Sequence, residues 1–135
     1  MAELRKVLVV DDSKLIQQMY RLIFSKYKGC QVLGALNGLE ALDVLASQDG
    51  IDLIVLDINM PVMNGVEFMQ KLKSEGLYRH IPIIVISTEG KEEDTRKALK
   101  LGAWGYIVKP FKTEMLYEMV DKVLAKKPAY LYGQK

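Results

Sequence analysis

Four short, uninterrupted apolar runs limit what this chain can fold into: Val7-Leu8-Val9-Val10, Leu53-Ile54-Val55-Leu56, Ile83-Ile84-Val85-Ile86 and Tyr106-Ile107-Val108. A strand with one wet face alternates apolar and polar residues, whereas continuous apolarity suits strands buried on both faces of a parallel sheet. The weaker run Gln31-Val32-Leu33-Gly34 is expected to be a further strand, nearer an edge.

Helical periodicity fills the intervals. It is clearest in Leu15, Met19, Leu22 and Ile23 and in Leu116, Met119, Val120, Val123 and Leu124. Asn37 with Glu40 three residues later reads as a capping signal for a helix carrying Ala41, Leu42 and Leu45, and Val66, Met69 and Leu72 mark another. The more polar segment 91–101 predicts a helix with a narrow buried stripe of Ala98 and Leu101. Strand and helix patterns alternate five times, which implies right-handed βαβ crossovers and helices on both faces of one parallel sheet.

In such a sheet ligands bind beyond the carboxyl ends of the strands. The residues there are Asp11 and Asp12 after the first run, Asp57 after Leu56, Ser87 and Thr88 after Ile86, and Lys109 after Val108. Carboxylates gathered in one crevice repel by up to ~4 kcal/mol per pair at 4 Å and an effective dielectric near 20, so a cation is needed. Hard oxygen ligands suit Mg²⁺, and Lys109 offers a second, fixed positive charge. Together they could hold phosphoryl oxygens, with the Ser87 hydroxyl, while a carboxylate attacks phosphorus; Asp57 is the best-placed nucleophile.

Five stretches carry a resemblance: Val9-Val10-Asp11-Asp12-Ser13, the segment from Leu56-Asp57 to Asn64-Gly65, Ile86-Ser87-Thr88, Gly102-Ala103 and Tyr106-Ile107-Val108-Lys109-Pro110-Phe111. In order and spacing they resemble the response-regulator receiver domains of two-component systems, especially the small single-domain chemotaxis type, over about Lys6 to Leu124. The resemblance implies a flavodoxin-like (βα)5 doubly wound sheet with strand order 2-1-3-4-5. It implies Asp57 as phosphoacceptor, Asp12 as direct Mg²⁺ ligand, Asp11 acting through a metal-bound water, and the Asn59 carbonyl in the metal shell. It further implies Lys109 as the phosphoryl-binding lysine, a cis bond before Pro110, and Ser87 and Tyr106 as switch residues. Asn59 and Glu89 resemble the positions that tune dephosphorylation. The partners implied are a histidine kinase or phosphotransfer protein as donor and a downstream protein meeting the 91–125 face. The protein is expected to be a signalling switch and not an enzyme.

Each residue alone has a plainer reading. Asp12-Ser13 could merely cap a helix, an aromatic at a strand start such as Tyr106 is ordinarily packing, and the charges from Lys91 to Lys100 are by default a solvated helix face. Four strand ends supplying fitting groups in order favour the functional reading for Asp11, Asp12, Asp57, Lys109 and Ser87. Trp104 is expected to be partly covered, His80 to lie in a loop, and Cys30 to be buried and inert. A phosphatase of the haloacid-dehalogenase type would carry a second acid two residues after its nucleophile, where this chain has Asn59, and would want room for a cap domain. A flavin-binding relative of the fold would want a Ser/Thr/Gly-rich loop after the first strand, where this chain has two carboxylates.

The 135 residues, half of them apolar, suffice for one domain; residues 1–127 are expected to form it, and 128–135, beyond the helix-disfavouring Pro128, to be a tail. A stand-alone regulator is expected, the alternative being the N-terminal receiver of a longer one. With 19 basic and 17 acidic residues, the net charge of +2 supplies no strong field for nucleic acid. One cysteine rules out an intrachain disulfide, and no apolar run reaches membrane-spanning length, so a cytoplasmic protein without membrane insertion is expected.

Overall fold

A computed structural model describes residues 4–88 and 92–125. Within them the strands are β1 (Lys6–Val10), β2 (Gln31–Ala35), β3 (Leu53–Leu56), β4 (Ile83–Ser87) and β5 (Gly105–Val108). The helices are α1 (Lys14–Phe24), α2 (Gly38–Ser47), α3 (Gly65–Glu75), α4 (Glu92–Lys100) and α5 (Thr113–Leu124). All strand pairs are parallel, in the order β2-β1-β3-β4-β5. The expected α/β doubly wound sheet is therefore the observed one.

The strand period of two divides the apolar runs between two cores. Leu8, Val10, Ile54, Leu56, Ile83 and Val85 pack with Leu45 of α2, Phe68 and Met69 of α3, and Ala98 of α4. Their neighbours Val7, Val9, Leu53, Val55, Ile84 and Ile86 face the other way, against Tyr20 and Phe24 of α1 and Leu116, Val120 and Val123 of α5. Continuous apolarity in β1, β3 and β4 thus reflects two buried faces. In β5, an edge strand, it does not: Tyr106 is half-buried and Val108 exposed.

Local signals stop and start the helices. Ser13 Oγ accepts from Ile16 N at the head of α1, and Asn37 Oδ1 accepts from Glu40 N at the head of α2 as the spacing foretold. Asn64 and Glu67 form a reciprocal capping box on α3, and Gly76 ends that helix in the left-handed conformation.

The burial of α1 departs from its apolar periodicity. Leu15 and Leu22 are each 76% exposed and Met19 is also exposed, while the buried stripe is Gln17, Tyr20, Ile23 and Phe24. The two aromatic rings fill the space over the sheet, and they turn the Leu15-Met19-Leu22 row outward. Cys30 is half-buried instead of buried, and burial followed by the charge of Asp52 pushes its thiol pKa up. Trp104 is half-buried and His80 exposed in a turn. Glu89, Lys91, Lys126, Lys127 and the segment 128–135 lie outside the described residues.

Candidate functional site

Because the chain crosses from β1 to β2 in one direction and returns to β3 on the other side, a crevice opens at the carboxyl ends of β1 and β3. Asp11 and Asp12 follow β1, and Asp57 follows β3. Backbone bonds hold these ends in register: Asp11 N–H donates to the Ala35 carbonyl at 3.0 Å, and Asp57 N–H to the Val10 carbonyl at 3.0 Å. Carboxylate oxygens of Asp11, Asp12 and Asp57 lie within 4.8 Å of one another, so the three could hold a metal ion.

The three carboxylates are not equivalent. Asp11 is buried, and its Oδ1 accepts from Ser13 N–H at 3.0 Å. Its Oδ2 faces Lys109 Nζ at 3.4 Å, a contact that brings in the end of β5. Asp12 is exposed. Asp57 is half-buried, and its Oδ1 accepts from Ile58 N–H at 2.9 Å. Burial raises the Asp57 carboxyl pKa to about 6; Lys109 opposes the shift, Asp11 adds to it, the Ile58 bond opposes it, and Asp12 adds least. An acid held this far from its ordinary value by its surroundings is a recognised mark of a functional site. Three carboxylates whose hard oxygens share a crevice also match the donor set of Mg²⁺.

Ser87, at the end of β4, is fully buried, and its carbonyl accepts from Lys109 N–H at 2.9 Å, which fixes β4 and β5 beside each other at the crevice. The peptide before Pro110 is cis, as expected from the resemblance. Tyr106 pairs with Val85 in the sheet and packs half-buried against the core that contains α4. Asn59 is exposed on the loop after Asp57.

That loop is built tightly. Gly65 N–H donates to the Ile58 carbonyl at 2.8 Å, and a Cβ at Gly65 would collide with the Asp57 carbonyl, so glycine is required there. Val62 has φ 69°, and Met63 N–H donates across it to the Pro61 carbonyl at 2.7 Å. A β-branched residue rarely accepts this left-handed backbone, and the strain sits a few residues from Asp57.

Two neighbours escaped the sequence reading. Tyr20 is buried under Phe111, with ring centroids 6.5 Å apart, and burial, then Asp11, then Asp57 push its hydroxyl pKa up. Gln17 is buried with its amide Nε2 donating to the Asp11 carbonyl at 2.9 Å and the Ala35 carbonyl at 3.0 Å. A tyrosine and a glutamine on a helix carry no signal by type; only their spacing with Ile23 and Phe24 marks the inward face.

Residues 7–121 match the family described as the response regulator receiver domain. A chemotaxis protein CheY homolog from Campylobacter jejuni is 39% identical over 88% of this chain and 92% of its own length. Chemotaxis protein CheY1 of Helicobacter pylori is 39% identical over 88% and 96% respectively. Among solved structures, the receiver domain of the Francisella response regulator 1452 superposes with a TM-score of 0.80 at 30% identity, covering 90% of this chain and 98% of that one. Chemotaxis response regulator CheY4 of Vibrio cholerae gives 0.77 at 38% identity, covering 89% and 98%.

Proposed function

The chain belongs to the response regulator receiver domain family, and on that premise we propose that Asp57 accepts a phosphoryl group from a histidine kinase or phosphotransfer protein in a Mg²⁺-dependent reaction. The observation that carries this reading is the convergence of Asp11, Asp12 and Asp57 within 4.8 Å, with Lys109 reaching Asp11 from β5.

An Asp57 carboxylate oxygen attacks phosphorus as the bond from phosphorus to the donor breaks. Lys109 Nζ and the Ser87 hydroxyl take phosphoryl oxygens, and they stabilise charge where it develops in the transition state. Asp11, Asp12, Asp57 and the Asn59 carbonyl would hold Mg²⁺, which when bound supplies neutralisation of carboxylate and phosphoryl charge. Tight packing at Ser87 makes the crevice sensitive to a new anion. Engagement of its hydroxyl would draw the end of β4 inward and let Tyr106 adopt a more buried rotamer, changing the face built from α4, β5 and α5 that meets the downstream protein. The protein is thus a phosphoacceptor switch and not an enzyme with a turned-over substrate.

The donor meets the rim between α1 and the head of α5. An apolar groove of about 510 Å³ is lined by Ile16, Met19, Leu22, Pro110 and Phe111, and it shares Thr88 and Lys109 with the crevice. A surface that abuts the phosphorylation site fits the protein that delivers the phosphoryl group, with its own apolar helix face laid along α1.

Intact-mass spectrometry after incubation with Mg²⁺ and acetyl phosphate tests the chemistry. One phosphoryl adduct on wild type and none on Asp57→Asn is expected. An adduct mapped to Ser87 or Thr88 rejects the assignment.

A further inference from the structure

We infer that Gln17 is a positioning residue for the acidic pair: its buried carboxamide sets the β1–α1 turn so that Asp11 and Asp12 converge on Asp57. The inference rests on the metal-binding role proposed for those carboxylates and adds a residue to it.

Gln17 is 6% exposed, a cost that a polar side chain meets only by hydrogen bonding. Both amide hydrogens are used, one on the Asp11 carbonyl and one on the Ala35 carbonyl. The second acceptor is the same oxygen that receives Asp11 N–H. Gln17 therefore joins the ends of β1 and β2 through α1, and it holds Asp11 by its carbonyl while the neighbouring strand holds it by its N–H. The turn between Asp11 and Lys14 is further closed by Gln17 N–H donating to the Ser13 carbonyl at 3.0 Å. Asp11 is thus held at its carbonyl, at its N–H and, through Oδ1, by Ser13 N–H, and Asp12 follows it directly in the turn.

Gly34 completes the device. A Cβ there would collide with Gln17 Oε1 and press on Cδ, so the carboxamide lies flat on a strand position that only glycine leaves open. Glycine weakens a strand interior, and here that weakness coincides with close approach of a side chain. A glutamine needed only to fill the core would be replaceable by an apolar residue of similar length. A glutamine needed to fix the turn would not.

Three variants separate these cases. Gln17→Met keeps length and helix propensity but removes both donors. Gly34→Ala leaves Gln17 intact and pushes its carboxamide off the two carbonyls. Val123→Ala, in the core on α5, lowers stability without touching the turn. Mg²⁺ affinity is measured by calorimetric titration of each full chain, beside its urea midpoint.

Gln17→Met and Gly34→Ala are each expected to weaken Mg²⁺ binding by about tenfold or more, the usual effect of removing a partner that orients a ligand. Val123→Ala is expected to bind as wild type does, despite its lower midpoint. Wild-type affinity in Gln17→Met, or an equal loss in Val123→Ala, overturns the positioning role alone. Absence of Mg²⁺ binding by wild type overturns both this role and the metal site it depends on.

Discussion

Asp57 combines partial burial with two carboxylate neighbours, and its pH response follows from that balance. Its folded pKa of about 6 lies above the ordinary value of 3.8, so the fold favours the neutral acid. The stability it contributes is full below the ordinary value and is lost as pH rises through about 6. Solvent access to the half-buried carboxyl screens the effect. Asp57→Asn should therefore be more stable than wild type in metal-free buffer at about pH 7.5, with the advantage shrinking toward about pH 4. Urea midpoints across that range check it, and an advantage independent of pH would contradict the assignment. The carboxylates were legible in the sequence because each follows an apolar strand; the lysine likewise. Gln17 and Tyr20 were not, because what distinguishes them is burial, a property of the assembled sheet.

Helix α1 shows the limit of periodicity at the level of an element. The spacing of Leu15, Met19 and Leu22 located the helix correctly, yet the row points outward, since an apolar stripe at helical spacing has no sign telling core from interface. Only the packing of Tyr20 and Phe24 over β1 and β3 decides which face is inward. Leu15→Glu and Leu22→Glu are accordingly expected to change unfolding free energy by no more than about 0.5 kcal/mol, as exposed positions do. Leu22→Glu, which alone of the two lines the groove, should slow phosphorylation by a histidine phosphotransfer domain by about tenfold, the effect of losing an apolar anchor from an interface. Labelling by acetyl phosphate, which needs no docking surface, should be unchanged. Stopped-flow kinetics with both donors make the comparison, and equal slowing with both would place α1 in the chemistry and not in docking. The edge strand β5 carries the same lesson: its apolar run foretold a strand, but exposed Val108 and half-buried Tyr106 leave one flank open beside the proposed output face.

At the scale of the whole molecule, strand order concentrates negative charge at one end of the sheet, and folding must bring it together. The carboxyl ends of β1 and β3 cannot separate without breaking the central pairing of Val10 with Leu56, so Asp11, Asp12 and Asp57 stay close whether or not a cation is bound. Lys109 compensates Asp11 first, at 3.4 Å, and leaves Asp12 and Asp57 without a comparably close lysine contact from it in the structure. A divalent cation that binds the native cluster and not the unfolded chain must then raise stability by mass action. At 100 times its dissociation constant the gain is about 2.7 kcal/mol. For a domain of this size that is an increase in Tm of roughly 10 °C. Asp12→Asn removes one exposed carboxylate from the cluster, so it should raise the Tm of the metal-free protein slightly while losing most of the Mg²⁺-dependent increase. The two changes have one cause and should appear together. Thermal melts of both proteins with and without Mg²⁺, at ionic strength held constant with Na⁺, provide the measurement. A wild type that gains nothing from Mg²⁺, or an Asp12→Asn variant that keeps the whole gain, would show that the cation is held elsewhere than at the ends of β1 and β3.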